Sequence, residues 1–304
     1  MNSNSTSTSY PRISIIVPSF NAEATIGRAV DSLIQQQYPD LEIICIDGAS
    51  RDATVEVLRG YGPAISYLLS EPDRNSAEAI NKGLRRATGE LVGWLGADDE
   101  LAPGALFAFA ALFAANPHAD VITGGCLRFY ADGSQAVTAP VAGLERYISM
   151  KNGIEQPSTL WTRALQSRVG ELDTSFRMAF DHDLWCRFAQ AGAKFVVTDK
   201  VLSHYHFSES NLTSVGGRKL VGEMFRLTKK YGPHHGMLAY VYYFLYVVFD
   251  LRGYFDAAAS IAPWKRRMFD RVMRGLRRMF GESCINNYNW NFASKQERGL
   301  CWYK

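Results

Sequence analysis

The chain has no C-x-x-C pair. Its five cysteines, Cys45, Cys126, Cys186, Cys284 and Cys301, stand apart, and an odd number leaves one thiol over in any disulfide scheme. A disulfide scaffold and a thiolate zinc site are therefore excluded, and a reducing compartment fits best. Apolar runs of the roughly 20 residues that span a bilayer are also missing. GMLAYVYYFLYVVF, residues 236–249, is 14 residues long, and residues 101–115 are opened by Pro103-Gly104 and closed by Asn116-Pro117. Both read as core or interfacial helices. G-x-G-x-x-G and G-x-x-x-x-G-K-[ST] loops are absent, which disfavours a dinucleotide or P-loop site. Neither sign of charge dominates: 33 basic against 30 acidic side chains leave +3, too little to indicate nucleic-acid binding. The start, MNSNSTSTSY, has no apolar segment behind a basic one and reads as a disordered tail, residues 1–10.

What is present is a regular alternation. Ile13–Val17, Leu41–Ile46, Ile65–Leu69 and Leu91–Leu95 are short apolar runs, each followed by residues at helical spacing, such as Ile26, Ala29, Val30 and Leu33 after the first. This pattern predicts an α/β fold with a mostly parallel sheet flanked by helices. Ligands of such sheets bind beyond the carboxyl ends of the strands. The segments there are PSFNAEA, DGASRDA, SEPDRNSAEAINKG and GADDE, three of which carry aspartates.

Asp98 and Asp99 follow LVGWL directly. Hard carboxylate oxygens at a strand end suit Mg²⁺ or Mn²⁺ bridging a diphosphate; the other reading is an N-cap of the next helix. Asp47 ends the second strand, where a carboxylate accepts hydrogen bonds from a base or ribose. Asp52 reads as a helix cap. Asp73 is a candidate nucleoside contact or a turn residue beside Pro72. Arg74 and Lys82 are candidate phosphate contacts or solvated loop charges. Trp161 and Trp185 are read as core residues or sugar-stacking rings.

PSFNAEATIGRAVDSLIQQQYPDLEIICIDGASRD and EPDRNSAEAINKGLRRATGELVGWLGADDELAPGAL together resemble the nucleotide-binding half of a family 2 glycosyltransferase with the GT-A fold. QPSTLWTRAL and AFDHDLWCRFAQAG resemble that family's acceptor half. The resemblance covers residues 11–214, with 11–118 as the nucleotide-sugar half and 119–214 as the acceptor half. It implies an inverting, metal-dependent transferase that moves a sugar from a nucleotide-sugar donor to a saccharide or polyprenyl-linked acceptor in surface polysaccharide biosynthesis. By the same resemblance Pro18, Asn21, Asp47, Asp73, Asn81, Lys82 and Asp98 bind the donor, Asp99 ligates Mg²⁺ or Mn²⁺ with His206 as a further metal candidate, and Asp181 is the catalytic base. Gly96 stands where a further Asp can occur, and Phe180 where the family often has Glu. Phe180 would partly desolvate Asp181 and raise its pKa. Asp183 is its competitor, about 200° away around a helix. His204 and His206 are assigned to opposite faces of a late strand.

Residues 215–304 are expected to form a helical extension. Met268, Phe269, Val272, Met273, Leu276, Met279 and Phe280 form one stripe, while Lys265 and six arginines cover the other face. Seven basic residues and Asp270 give 7 − 1 = +6 over residues 265–280. The expectation is a cytoplasmic protein held peripherally on the inner face of the plasma membrane through anionic lipid, without nucleic-acid binding; packing of this helix on the catalytic domain is the other reading. A nucleotidyltransferase, or a non-catalytic scaffold binding nucleotide-sugar or polyisoprenoid, are the other functions left open.

Overall fold

The computed structural model describes residues 10–281 apart from 131, 141, 147, 150–151, 208–216, 233 and 245–262. The tail over 1–9, the expected junction at Ser214, the aromatic run beyond residue 244, Cys284 and Cys301 lie outside the described residues. The chain divides into two compact units. One comprises Met1–Ala142, Ile154–Arg177 and Gln190–Phe207; the other comprises Gly143–Gly153, Met178–Ala189 and Ser208–Lys304. This grouping is not linear, since Gly143–Gly153 and the segment with Asp181 go with the C-terminal region.

The first unit is built on a nine-stranded sheet of order β3-β2-β1-β4-β8-β6-β9-β5, with β7 on β6. β1 (Ile13–Ser19), β2 (Leu41–Asp47), β3 (Tyr67–Ser70) and β4 (Leu91–Trp94) pair in parallel, as their alternation with helices predicts. The remainder is mixed. β8 (Thr159–Thr162) runs antiparallel to β4 and to β6 (Val121–Phe129), whereas β9 (Phe195–His206) is parallel to β6. Two short strands, β5 (Glu100–Leu101) against β9 and β7 (Gln135–Thr138) against β6, complete the sheet.

Helix α1 (Ile26–Ile34) buries Ile26, Ala29, Val30 and Leu33 against the sheet residues Ile13, Ile15 and Val17. Each of the isoleucine, valine and leucine side chains contributes about 1.5–3 kcal/mol when fully buried. α2 (Thr54–Gly60) and α3 (Ser76–Arg86) follow β2 and β3; Asn75 caps α3 by accepting the Glu78 N–H at 3.1 Å. The helix expected over 101–115 starts later, as α4 (Ala105–Ala115), because Gly104 at φ 74° turns the chain into it and Glu100–Leu101 is drawn into the sheet. Asp98 and Asp99 therefore do not cap it. α5 (Arg163–Val169) follows β8, and Trp161, on β8, is fully buried with its Nε1 donating to Gln166 Oε1 at 2.8 Å, a core residue.

In the second unit α6 (Phe180–Gln190) buries Phe180, Leu184, Trp185 and Phe188, so Trp185 too is core. Helix Gly217–Tyr231 buries Leu220, Met224 and Leu227 at helical spacing. Helix Met237–Tyr243 buries Leu238 and exposes Met237 and Tyr240. Helix Pro263–Phe280 carries the basic segment. Of its stripe, Met268, Val272, Leu276 and Phe280 are half-buried and Met279 is exposed, as are Arg267, Arg271, Arg274 and Arg278. Phe280 packs on His234 with ring centroids 4.9 Å apart. Among the described residues no helix is long and apolar enough to cross a membrane.

Candidate active site

The register of the parallel strands puts Ser19, Asp47 and Ser70 side by side at the carboxyl ends of β1, β2 and β3. Asp47 is fully buried there. Its Oδ2 accepts from Ser50 N at 2.9 Å and Ser70 Oγ at 2.7 Å, and its Oδ1 from Ser19 Oγ at 3.3 Å and from Ser50 Oγ. Four donors use the lone pairs that a base would need. Asp47, expected to hold the base, is in this arrangement the anchor of the loop.

Asn21 ties the loops after β1 and β2 together. Its backbone N donates to Ser50 Oγ at 2.8 Å and its Oδ1 accepts from Arg51 N at 3.0 Å. Glu23 N to Asp52 Oδ2 at 3.1 Å and Ala53 N to Glu23 Oε2 at 2.8 Å complete a stitch between the loops after β1 and β2. Asp52 also accepts from Thr54 N, which starts α2, at 3.1 Å. Pro18 lies in β1 opposite Ile46 and brings no side-chain donor to a ligand.

Asn81 is buried, with Nδ2 on Leu172 O at 2.9 Å and Oδ1 on Leu172 N at 2.8 Å. Both ends of its amide are hydrogen-bonded to the chain. Lys82 Nζ is paired with Glu71 at 2.9 Å and donates to Pro72 O at 3.0 Å, and Arg74 is paired with Glu78 at 2.7 Å. Asp73 is the carboxylate that stays half-exposed at this strand end. Burial raises its pKa, against the pull of Lys82. Gly48 makes room for it, since a Cβ on residue 48 would lie 2.7 Å from Asp73 Oδ2.

Beyond β4, Asp99 is buried and its Oδ1 has no hydrogen-bond partner. Its pKa is pushed well above the carboxylate range, first by burial and then by Asp98, Glu155 and Glu100. Asp98 is half-exposed; burial raises its pKa too, opposed by His206 and Arg28. A buried acid with an unused oxygen and acidic neighbours takes either a proton or a cation. Gly96 keeps the pocket open: a Cβ there would lie 2.8 Å from Asp99 Oδ2 and 2.9 Å from Asp98 Oδ1. Among the described residues no three His, Cys, Asp or Glu side chains form a ready metal cage. Mg²⁺ and Mn²⁺ are commonly held by one or two carboxylates together with substrate phosphates, so Asp98 and Asp99 fit such an ion.

His206 Nε2 lies 2.8 Å from Glu100 Oε1 and 3.5 Å from Arg28 NH1, and its ring stacks on Phe129 at 4.8 Å. His204 also meets Phe129, edge-on at 5.7 Å. The two histidines thus share a face, as residues two apart on a strand must, and the assignment to opposite faces is corrected. Sequence reasoning missed Arg28, Glu100 and Glu155. Glu155 makes a two-pronged bond to Arg128, at 2.8 and 2.9 Å, and nothing in EQPST marks it.

In the second unit Asp181 and Asp183 part company. Asp183 is wholly buried and accepts from Arg187 Nε at 2.9 Å, Lys230 Nζ at 2.9 Å and Tyr231 Oη at 2.7 Å, a closed structural network. Asp181 keeps some accessible surface; its Oδ2 accepts from Asn152 Nδ2 at 3.3 Å. Surrounding protein pushes its carboxyl up to about 6, chiefly by desolvation. His182 between them is buried, its pKa lowered by burial to about 4, with Nε2 on Ile148 O at 2.5 Å.

The model of the family described as Glycosyl transferase family 2 matches residues 14–160. An uncharacterized glycosyltransferase of Mycobacterium tuberculosis is 28% identical over 232 residues, 75% of this chain and 86% of that protein. The amylovoran biosynthesis glycosyltransferase AmsB of Erwinia amylovora is 28% identical over 207 residues, 64% of this chain and 69% of its own. Among solved structures, S. aureus TarS 1–349 in complex with UDP-GlcNAc superposes with a TM-score of 0.61 at 17% identity, covering 94% of this chain and 90% of that one. The mannosyltransferase PcManGT from Pyrobaculum calidifontis in complex with GDP-Man and Mn²⁺ does so at 0.59 and 20%, covering 95% and 87%. The sheet, the acidic strand ends and these likenesses agree: residues 14–160 match the family 2 glycosyltransferase model, the relatives are named glycosyltransferases, and the fold is that of GT-A glycosyltransferases.

Proposed function

We propose that this glycosyltransferase acts in surface polysaccharide assembly, moving a sugar from a nucleotide-sugar donor to a saccharide or polyprenyl-linked acceptor with inversion. The observation that carries the donor reading is Asp99, a buried carboxylate with an unpartnered oxygen beside Asp98 at the end of β4. Binding of UDP-GlcNAc by TarS and of GDP-Man with Mn²⁺ by PcManGT supports it, and the name of AmsB supports the pathway. Asp98 and Asp99 would hold Mg²⁺ or Mn²⁺, which when bound offsets the charge of the departing diphosphate. Asp73 is the carboxylate offered to the nucleoside.

Asp181 takes the proton of the acceptor hydroxyl as its oxygen forms the bond to the anomeric carbon. The bond from that carbon to the donor's phosphate oxygen breaks, and the nucleoside diphosphate leaves with the electron pair. A carboxyl of pKa about 6 is largely ionised at neutral pH yet more basic than a free aspartate, which suits a general base.

The exposed arginines of helix Pro263–Phe280 favour a peripheral contact with anionic lipid. Because the described stripe is half-buried, the contact is through charge more than insertion. The whole reading is tested by following turnover of UDP-, GDP- and dTDP-sugars with Mg²⁺ or Mn²⁺ and a lipid extract as acceptor. Activity with one donor that disappears in Asp99→Asn and Asp181→Asn is expected; no turnover with any donor overturns it.

A further inference from the structure

The helix that carries Asp181 begins without a cap of its own. Ala179 precedes α6, where Ser, Thr, Asp or Asn would accept an exposed N–H. The acceptor comes from elsewhere in the second unit. Glu223, buried on helix Gly217–Tyr231, receives Met178 N at 2.9 Å and Ala179 N at 3.0 Å on one oxygen, Oε2. Two consecutive amide donors on one carboxylate are the acidic half of a capping box, supplied here by a second helix. A negative charge at this end also complements the helix dipole.

We propose that Glu223 is the positioning residue for the catalytic base: by holding the two N–H groups at the head of α6 it sets where the first turn begins, and with it the carboxylate of Asp181. The inference rests on the reading of Asp181 as base. The groups that bear on Asp181 are Asn152 from the segment before α6, His182, Asp183 and Cys186 on α6 itself, and Glu223 from helix Gly217–Tyr231. Asp183 is neutralised by Arg187 and Lys230. Glu223 is thus a like charge acting on Asp181 as well as a cap, and the two roles are separable by substitution. Glu223→Gln keeps an acceptor oxygen and removes the charge. Glu223→Ala removes both.

The experiment uses the full chain labelled with ¹³C at aspartate carboxyls, the Asp181 signal being the one lost in Asp181→Asn. In the wild type it titrates near 6. In Glu223→Gln the midpoint moves down by several tenths of a unit, the amides of Met178 and Ala179 stay protected from hydrogen exchange, and kcat for the fastest nucleotide-sugar survives with its acid limb at lower pH. In Glu223→Ala the protection is lost and kcat falls on the order of tenfold to a hundredfold while KM for the donor is unchanged, as expected when a reacting group is misplaced by about 1 Å. Wild-type titration and exchange in both variants overturn the inference. If the alanine variant fails to fold, Glu223→Asp, whose shorter side chain draws the oxygen away from both amides, takes its place, and full protection with unchanged kcat in it overturns the inference. Full transfer by Asp181→Asn sinks the base reading by itself, while titration and exchange still decide whether Glu223 holds the turn.

Discussion

Gly96 and Asp99 are so close that a Cβ on residue 96 would lie 2.8 Å from Asp99 Oδ2. The glycine therefore does more than omit a carboxylate: it leaves the space in which Asp98 and Asp99 stand. Gly96→Ala forces both carboxylates to shift, and overpacking of this kind costs about 1–3 kcal/mol. Affinity for a nucleoside diphosphate with Mn²⁺, measured by calorimetry, should drop about tenfold for each 1.4 kcal/mol. Unchanged affinity would show that the pair does not hold the diphosphate.

Asp99 confines an acid that the fold does not satisfy. Asp99→Asn keeps the shape and removes the burden of a buried charge, so in EDTA the variant should melt about 2–4 °C above wild type for each kcal/mol recovered. Added Mn²⁺ with nucleoside diphosphate should then stabilise wild type and leave the variant where it was. A variant that gains as much from the ion as wild type would remove Asp99 from the metal site.

The pH profile follows from Asp181. Its folded pKa, about 6, lies above the usual value for aspartate because burial disfavours the charged form. Activity needs the ionised form, so kcat falls as pH drops through about 6. Stability runs the other way: the penalty is absent below the unfolded pKa of about 3.9 and grows until pH passes the folded one. Asp181→Asn should lose about 10²–10⁴ in kcat while its urea midpoint at neutral pH is equal or higher. An acid limb that persists in a still active Asp181→Asn would assign it to another group.

Asp47 carries the loop network, and its replacement should be felt in stability as well as in binding. Asp47→Ala leaves Ser19, Ser50 and Ser70 donors unmatched; an unsatisfied buried group costs about 1–3 kcal/mol. Urea denaturation reads this directly. A variant of native stability that lacks nucleotide binding would instead make Asp47 a direct ligand.

The basic face is tested by charge alone. Arg271→Gln, Arg274→Gln and Arg278→Gln together remove about 3 kcal/mol of attraction to anionic lipid, on the order of a hundredfold in partitioning. Vesicles of neutral lipid provide the reference in a flotation assay. Equal partitioning of variant and wild type would refute the surface.

Much of this protein was legible before any coordinate. Short continuous apolar runs alternating with period-3.6 segments can be buried in few ways, so β1 to β4, their parallel pairing and the acidic ends after them follow from local pattern. GADDE and FDHD stand out only together and in this order, since either one alone reads as ordinary acidic charge at the start of a helix. The sequence by itself thus determined the resemblance to the family, the nucleotide half of the sheet and the aspartates worth testing. Which partners those aspartates meet was decided by the tertiary structure. Asp47 is saturated because strand register sets it between Ser19 and Ser70; Asn81 is spent on Leu172 and Asp183 on Lys230 and Tyr231. Asp99 is left with an unmatched oxygen, and Glu223 reaches the head of α6 from another helix. These are contacts between residues distant in the chain, and local periodicity, which reports only which face of an element is buried, carries no information about which partner meets it there.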